Sequence, residues 1–577
     1  MPKKGKEREF NGEGTGPYEA QKRIYISHRV EQDRNLGNWN NNMIQESKIS
    51  ENSGQLASSI SSDDLPLLLS VVLTARWALR EPNPFALTIF MSKIYVVQGA
   101  ENIIQFWKKS QQLADTASQI FCLKYLFGMP EKALQMYLAD DSGFHDKPNY
   151  GSKVHPSNRV DYQTHSSMHK FMGGPRLSDF YNRWRYLFAR RLENIEVTDE
   201  WIEMPDLMTF FDSEFASPLI EATCGPLLEQ INPSLMRDLI TYGRAVPYLS
   251  KGLPRWLVPK AYAIRDKLLA NIKEWHSIAR QSFDAACVDQ HGDSDPYWGS
   301  EFIRSRQALF ESFHGFDGDA AAASDLGLVW ALTVNIVPTS MWVTLDINRD
   351  KELSAKIRHE LDTSGCFDNL STIDLTKLLT LPRLQGVYAE TLRLRFQAII
   401  ARRTNSEGME LNNWRLPRDS VILVATNPAH MDPNVWNTGE DNQYPVDKFW
   451  AERFLTYGQY PSDGPISGIS VVQASKEKAE EAVIIEAAIN NNPEKSAPSF
   501  TMSNTAGHWF PYGGGSRICP GRHIAKRAVL SATATITKIF DIEILASDED
   551  MAMDGSGYGF GMQRPIGKIP FRIRKRQ

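Results

Sequence analysis

The sequence lacks several features that would place it in a broad protein class. It has only 5 cysteines among 577 residues, an odd number with no C-x-x-C spacing, so neither a disulfide framework nor a zinc site is indicated. Its net charge of −5 gives no basic excess of the kind that nucleic-acid-binding proteins carry. No run of about 18 apolar residues predicts a transmembrane helix. No G-x-G-x-x-G lies between a strand and a helix to indicate a dinucleotide site.

Residues 1–62 differ in composition from the rest of the chain. They are polar and charged, with an asparagine run at Asn40–Asn42 and a serine-rich stretch at Ser58–Ser62. This composition predicts disorder rather than a packed core. The apolar stretch Leu65–Leu73 that follows contains a proline and a serine. It predicts either an internal core helix or a segment that leans on a membrane.

The stretch Phe510–Arg522 carries the clearest chemical signal, because it places one cysteine, Cys519, in a glycine-rich loop. Gly513–Gly515 permit positive φ angles and a close approach of the backbone to a flat group. Pro520 suits the first turn of a helix, where its missing N–H has no cost. Arg517 adds a positive charge that suits a carboxylate.

A helix is predicted directly after this loop. Apolar residues recur at spacings of three and four, at Ala525, Val529, Ala532, Ile536 and Phe540, which is the pattern of an amphipathic helix. Cys519 is therefore expected at a helix N-terminus, where the dipole and the N–H groups favour an anion. That position is expected to lower the thiol pKa and to make the cysteine a thiolate ligand.

The loop resembles the haem loop of the cytochrome P450 family, which reads Phe-x-x-Gly-x-Arg-x-Cys-x-Gly. The matching residues are Tyr512, Gly515, Arg517, Cys519 and Gly521, with tyrosine in place of phenylalanine. The resemblance implies a haem b cofactor with Cys519 as the axial iron ligand and with Arg517 paired with a haem propionate. Tyr512 and Gly515 are expected to border the same cofactor. The alternative is a glycine-rich turn around a buried structural cysteine.

Two more motifs occur in the order that this family has. Glu390 and Arg393 lie three residues apart on one helical face, where they can pair, and the segment Phe449–Phe454 supplies Arg453. In the family these three residues form a structural triad, whereas the first two alone would be an ordinary surface ion pair. The resemblance implies the cytochrome P450 fold, mainly α with small β-sheets, in one domain over residues 63–577.

The runs Phe85–Phe90 and Ile94–Val97 predict the first two strands of a sheet, and Leu177–Leu192 predicts a helix. The segment between Phe454 and Phe510 is longer than the family's usual connection, so an insertion at about 456–508 is expected on the surface. Gly557–Arg574 is expected to form a C-terminal hairpin that brings Phe560 towards the substrate.

A long helix is predicted from Ser324, as its N-cap, to about Asn348, and it resembles the family's central helix. Asn335 occupies the place of the usual threonine there, and an asparagine with a proline three residues later resembles sterol 7α- and 12α-hydroxylases and prostacyclin synthase. Pro338 lacks an N–H and should open the helix locally. We expect Asn335 to position a proton donor, with Thr333 as a hydroxyl alternative. The simpler interpretation is that Asn335 only caps the break in the helix.

Two surface features leave alternatives open. His169 and Lys170 lie where basic side chains of the family reach a haem propionate, but the usual Trp-x-x-x-Arg is absent, and a solvated helix face would explain both residues. Trp256 and Leu257 lie in a basic stretch that resembles a membrane-dipping connection. Ordinary packing between two helices is the alternative there.

The sequence as a whole predicts a haem-thiolate monooxygenase that oxidises a hydrophobic molecule such as a sterol, terpenoid or polyketide of secondary metabolism. Electrons are expected from NADPH–cytochrome P450 reductase, because no flavin or nicotinamide motif is found. Peripheral membrane contact is expected and a nucleic-acid partner is not. One alternative is an isomerase or dehydratase of the same fold that needs no O₂, and another is a non-catalytic haem-binding protein.

Overall fold

The structure is a computed structural model that describes residues 83–89, 92–114, 116–369, 372–404, 407–457, 463–467 and 497–577. All of these belong to one compact unit, Ser47–Gln577. The predictions for residues 1–62 and for Leu65–Leu73 lie outside the described residues. The greater part of the expected insertion at 456–508 also lies outside them, but short strands on its two flanks pair with each other.

Helices account for most of the described chain, as expected. They are α1 (Ala100–Lys108), α2 (Thr116–Phe121), α3 (Glu131–Ala139), α4 (Val160–Gly173), α5 (Arg176–Glu193), α6 (Leu207–Glu214), α7 (Ala216–Cys224), α8 (Leu227–Ile231), α9 (Leu235–Leu249), α10 (Pro259–Ser282), α11 (Glu301–Ser312), α12 (Gly318–Val334), α13 (Ile336–Arg349), α14 (Lys351–Ser364), α15 (Leu375–Leu378), α16 (Pro382–Arg395), α17 (Thr426–His430) and α18 (Arg522–Ile539).

The strands are short and form small sheets. They are β1 (Phe85–Ile89), β2 (Ser92–Val96), β3 (Leu113–Ala114), β4 (Ile202–Met204), β5 (Ser294–Asp295), β6 (Gly299–Ser300), β7 (Phe367–Asn369), β8 (Thr372–Ile373), β9 (Phe396–Thr404), β10 (Met409–Leu411), β11 (Trp414–Leu416), β12 (Val421–Ala425), β13 (Leu455–Thr456), β14 (Ser499–Phe500), β15 (Phe540–Ile544), β16 (Phe560–Met562) and β17 (Phe571–Lys575). The largest described sheet has the order β1-β2-β12-β9-β16, with β3 also paired to β9.

Several predicted elements are confirmed because their signal is local. The two first strands are β1 and β2, paired antiparallel. The helix predicted at Leu177–Leu192 is α5, whose apolar residues recur at helical spacing and are buried. The amphipathic helix after the cysteine is α18. In each case the hydrophobic period matches the element that forms.

The predicted C-terminal hairpin is wrong. Strand β16 pairs with β9 in the largest sheet, whereas β17 pairs with β15 and β4 in another sheet. The chain between them is held elsewhere, because Gln563 donates its N–H to the carbonyl of Arg395 at 3.1 Å. Its own carbonyl accepts from the indole of Trp342 at 2.8 Å. These partners are remote in sequence, so hairpin-like spacing alone could not reveal them.

The long central helix is present but interrupted. Helix α12 ends at Val334, α13 begins at Ile336, and Asn335 between them has φ −110° and ψ −40°. The break lies one turn before Pro338, as the missing proline N–H predicts. The N-cap is Asp317, which accepts from the N–H of Ala320, so the prediction of Ser324 is wrong.

This interrupted helix crosses the core. The stretch Gly318–Arg349 is long and apolar enough to span a membrane, but its most apolar part is 67% buried inside the protein. Helix α13 packs against α16 and α18. The central helix therefore lies against α16 and against α18, the helix that follows the cysteine loop, as expected of an internal core helix.

Candidate functional site

Cys519 lies in the loop between a 3₁₀ turn at Gly515–Arg517 and helix α18. Its backbone N–H donates to the carbonyl of Tyr512 at 3.0 Å. Helix α18 begins at Arg522 with Gly521 as its N-cap. The prediction that Pro520 occupies the first helical turn is therefore wrong by two residues, although the cysteine still precedes the helix directly.

The Cys519 side chain is exposed, yet protein atoms crowd around its sulfur. This burial raises the pKa of the Cys519 thiol, while the backbone N–H groups of Gly521 and Arg522 and the charge of Arg522 partly lower it. The expected net lowering of the pKa by the helix N-terminus is thus wrong for the protein alone. Two N–H groups nevertheless point at the sulfur, as a thiolate ligand requires.

The glycines before the cysteine allow close packing, but against protein. A Cβ on Gly514 would lie 2.6 Å from the indole ring of Trp107, and one on Gly515, whose φ is +65°, would lie 2.7 Å from the Cβ of Ser110. The flat group that Gly514 approaches is therefore the Trp107 side chain of α1. The Ser110 hydroxyl also lies 2.8 Å from the hydroxyl of Ser516, so this contact fixes the loop.

Arg517 is directed towards α4. Its guanidinium forms an ion pair with Asp161 and lies 3.7 Å from the ring centroid of Phe144. Asp161 was not anticipated from sequence, because it lies 356 residues away in the chain. A carboxylate partner for Arg517 was expected, and in the protein alone that carboxylate is Asp161.

His169 and Lys170 are neighbours on α4 with different environments. The Nε2 atom of His169 is buried and has no hydrogen-bond partner, and its ring centroid lies 4.4 Å from that of His165. Burial and the charges of Arg522 and Arg517 lower the pKa of His169, so it is neutral. Lys170 is exposed. Of the two, His169 is the one that faces the interior.

Tyr512 has an unforeseen partner on α16. Its hydroxyl is hydrogen-bonded to the hydroxyl of Tyr388, and burial raises the pKa of both phenols. Both therefore stay neutral at physiological pH. The tyrosine that replaces the expected phenylalanine thus adds a polar link between the loop and α16.

Asn335 is engaged by the C-terminal part of the chain. Its Oδ1 accepts from the N–H of Met562 at 3.0 Å, and its own carbonyl accepts from the hydroxyl of Thr339 at 2.6 Å. A Cβ on Gly561, whose φ is +122°, would collide with the same Oδ1. Asn335 therefore pins strand β16 to the break in the central helix.

Thr333 faces a cavity of about 570 Å³. The cavity is bounded by α9, α12 and the segment around β16; its lining includes Met236, Leu239, Gly243, Arg244, Lys251, Trp330, Thr333, Val334, Phe560 and Arg564. Phe560, expected near the substrate, lies here. Ala331, one residue after Trp330, is exposed, whereas its neighbours in the second half of α12 are buried or half-buried.

The Glu390, Arg393 and Arg453 side chains form one fully buried network. Arg393 donates to both carboxylate oxygens of Glu390, at 2.7 and 2.9 Å, and the Nε of Arg453 donates to Glu390 at 3.1 Å. Burial alone would raise the pKa of Glu390, but the two arginines together hold it below its usual range. The surface-pair alternative is excluded by this burial.

This network connects to the cysteine loop. Arg393 also donates to the carbonyl of His430 at 2.7 Å, and the ring Nε2 of His430 accepts from the N–H of Phe510 at 3.2 Å. Burial, followed by the charge of Arg393, lowers the pKa of His430 to about 3. The ring is therefore neutral and able to accept. Through His430, two hydrogen bonds thus connect the start of the loop with the buried triad.

Comparisons with known proteins agree with this geometry. A family model described as Cytochrome P450 matches residues 237–459. The chain is 32% identical to Cytochrome P450 monooxygenase efuG of Hormonema carpetanum, with 84% of this chain and 82% of that protein covered. It is 31% identical to Cytochrome P450 monooxygenase fsoE of Humicola fuscoatra, with 84% and 80% covered.

More distant similarities point the same way. Cholesterol 7-alpha-monooxygenase of Cricetulus griseus is 20% identical, over 58% of this chain and 57% of that protein. Among solved structures, retinoic acid bound cyanobacterial CYP120A1 superposes with a TM-score of 0.53 at 15% identity, covering 86% of this chain and 92% of the other. That likeness concerns the fold, which is confirmed as mainly α with small sheets.

The triad generates a first prediction. Replacing Arg393 by alanine leaves Glu390 and Arg453 buried with an incomplete set of partners, which should lower the free energy of unfolding by about 3–5 kcal/mol. The measurement is the yield of folded protein and its thermal unfolding. Arg190→Ala, at an exposed position of α5, is the control and should be neutral. An Arg393→Ala protein as stable as this control would contradict the structural role.

Proposed function

The chain belongs to the cytochrome P450 family and is a monooxygenase, and from that premise we propose how it works. We propose that haem b is bound through the Cys519 thiolate, that NADPH–cytochrome P450 reductase supplies the electrons, and that a large hydrophobic molecule is oxidised. The observation that carries the proposal is that Cys519, an exposed residue, has two backbone N–H groups directed at its sulfur.

The residues present fit a haem. Cys519 provides a single thiolate donor, and the N–H groups of Gly521 and Arg522 stabilise its charge. The buried, unpartnered Nε2 of His169 is a neutral donor for an anionic group such as a propionate. The guanidinium of Arg517 would bind a propionate either in place of Asp161 or together with it. Ala331 offers an exposed small residue on the central helix against which a flat group can lie.

Bound haem supplies the activation of O₂, with one oxygen atom going to the substrate and the other to water. The protein positions the substrate and the protons. In the resemblance to the family's central helix, Val334 occupies the place of the usual acid, and its side chain cannot carry a proton. Because Oδ1 of Asn335 already accepts from Met562, its NH₂ group is the part left to orient a water, together with the Val334 carbonyl that Pro338 cannot satisfy.

The cavity supports a bulky, mainly apolar substrate. Its volume of about 570 Å³ lies within the range of about 300–1,000 Å³ for small-molecule pockets. The names of the similar proteins include a cholesterol 7-alpha-monooxygenase and fungal monooxygenases. A rigid polycyclic substrate of the sterol or terpenoid class fits both observations.

The two alternative functions that the sequence left open have less support than the monooxygenase. An isomerase or dehydratase was suggested by the missing acid and threonine on the central helix. The fungal relatives at 31% and 32% identity are monooxygenases by name, which favours the oxidative reaction. A non-catalytic haem-binding scaffold would not need a cavity of this size beside the central helix.

The haem assignment is tested by Cys519→Ala. We expect the variant to lose the red-shifted absorption band of the reduced carbon monoxide complex, because that band requires a thiolate ligand. Cys287→Ala, at another exposed cysteine, is the matched control and should keep the band. Persistence of the band in the Cys519→Ala protein would mean that a different residue binds the iron.

The role of Asn335 is tested by Asn335→Leu. We expect normal haem content but more hydrogen peroxide released per NADPH consumed, measured with the substrate that the wild type oxidises. Asn348→Leu replaces the same residue type farther along α13 and should leave this ratio unchanged. If Asn335→Leu also leaves it unchanged, the residue serves only to pin β16.

Membrane contact is tested at the connection between α9 and α10. Trp256 is 77% and Leu257 49% exposed, which meets the condition for interfacial insertion, although Arg255 of the basic flank pairs with Asp266. Replacing Trp256 and Leu257 by aspartate should shift the protein from membranes to the soluble fraction. Leu138→Asp with Tyr186→Asp, at two exposed apolar positions elsewhere, should not. A wild-type protein found wholly in the soluble fraction would refute the idea.

A further inference from the structure

The cavity has an uneven distribution of charge along α9. Six lining positions on this helix recur at spacings of three and four residues and form one stripe, Met236, Leu239, Ile240, Gly243, Arg244 and Tyr248. Lys251, just beyond the end of the helix, continues it. The first half of the stripe is apolar and the second half carries two cations. At about 1.5 Å per residue, Leu239 and Tyr248 are roughly 13.5 Å apart along the helix axis, and Lys251 lies just beyond the end of the helix.

The carboxylates of the cavity neutralise these cations only in part. Burial raises the pKa of Asp212, and the charges of Arg564 and, more weakly, Arg244 act against that rise. Asp212 is bound by both terminal nitrogens of Arg564, at 3.0 and 3.2 Å. Asp554 accepts from the N–H of Ser556 at 2.9 Å. Among the described residues, neither Arg244 nor Lys251 forms an ion pair, and Lys251 lies 5.3 Å from the ring centroid of Tyr248. The cavity therefore has, at one end, two cations that no carboxylate of the described residues binds directly.

Part of the remaining lining favours a rigid apolar body, although Asp554, Gln563 and Arg564 also belong to it. Trp330, Phe560 and Met562 contribute large apolar surfaces, and a Cβ added to Gly243 would meet nothing within 4 Å. Glycine in the interior of a helix is destabilising by about 1 kcal/mol relative to alanine. Its effect here is to leave space in the cavity wall beside Arg244.

We propose that the substrate is a polycyclic carboxylic acid, with its apolar body in the cavity and its carboxylate bound by Arg244 and Lys251. The inference rests on the proposed function, because it takes this cavity as the substrate site. Arg244 is suited to bind both carboxylate oxygens, and Lys251 adds a mobile point charge at the rim. Both cations are exposed, so their effect is moderate and depends on ionic strength.

The test compares an acid with its uncharged ester. The probes are lithocholic acid, a tetracyclic acid that is ionised at pH 7.5, and its methyl ester. Each is titrated into the haem-loaded enzyme, with the dissociation constant taken from calorimetry and from the shift of the haem absorption band. We expect the acid to bind about five- to tenfold more tightly than the ester at low salt, and this preference to shrink at high salt.

Variants locate the effect. In the Arg244→Gln, Lys251→Gln double variant the acid should lose its preference, while ester binding stays as in the wild type. Arg237→Gln changes the same residue type at an exposed position on α9 that does not line the cavity, so it should retain the preference. Gly243→Leu fills the cavity and should weaken both ligands strongly.

The outcomes separate this inference from the proposed function. Equal binding of acid and ester by the wild type, or a preference that survives in the double variant, would overturn the carboxylate inference while leaving the cavity as a binding site. Unchanged binding of both ligands in Gly243→Leu would place them outside this cavity. That result would also overturn the carboxylate inference. If neither ligand binds although the carbon monoxide band is present, the substrate class is wrong and the haem assignment stands.

Discussion

The buried network of Glu390, Arg393 and Arg453 is the constraint on which the cysteine loop depends. It holds two positive charges and one negative charge away from water, which is costly unless each charge has partners. Backbone carbonyls provide them: Arg393 donates to Val446 at 2.7 Å, and Arg453 donates to Asn437. The surrounding backbone must therefore adopt one conformation that places its carbonyls on these arginines. The cysteine loop packs against that backbone, so its conformation is fixed as well.

Hydrogen bonds of neutral side chains connect the buried network with the cysteine loop. His430 can accept from the N–H of Phe510 only because burial and Arg393 keep its ring uncharged. Tyr388 and Tyr512 likewise form their hydroxyl pair as neutral phenols. A third link joins Trp509 to the carbonyl of Ala389 at 3.2 Å. Three contacts thus connect the loop with α16 or its surroundings, and they hold the cysteine backbone in register with the core.

Sequence reasoning located what is encoded locally and missed what is encoded by remote pairs. The loop around Cys519, the helix α18 and the break before Pro338 follow from residue type and spacing within a few positions. The Asp161 partner of Arg517 lies 356 residues away, and the Met562 partner of Asn335 lies 227 residues away, so no local pattern could reveal them. The thiol pKa failed for another reason: dipole and charge can be inferred from sequence, but the degree of burial cannot.

Two adjoining faces of α12 have different surroundings. Successive residues on a helix are rotated by roughly 100°, so Trp330, Thr333 and Val334 of α12 share one face, which lines the cavity. Ala331, the exposed residue, lies on the adjoining face about 60° from Val334 by the same rotation. The cavity wall and the exposed position of Ala331 therefore adjoin along one edge of α12, at its last turn. The break at Asn335 lies directly after that edge, where the pinned strand β16 closes the wall of the cavity.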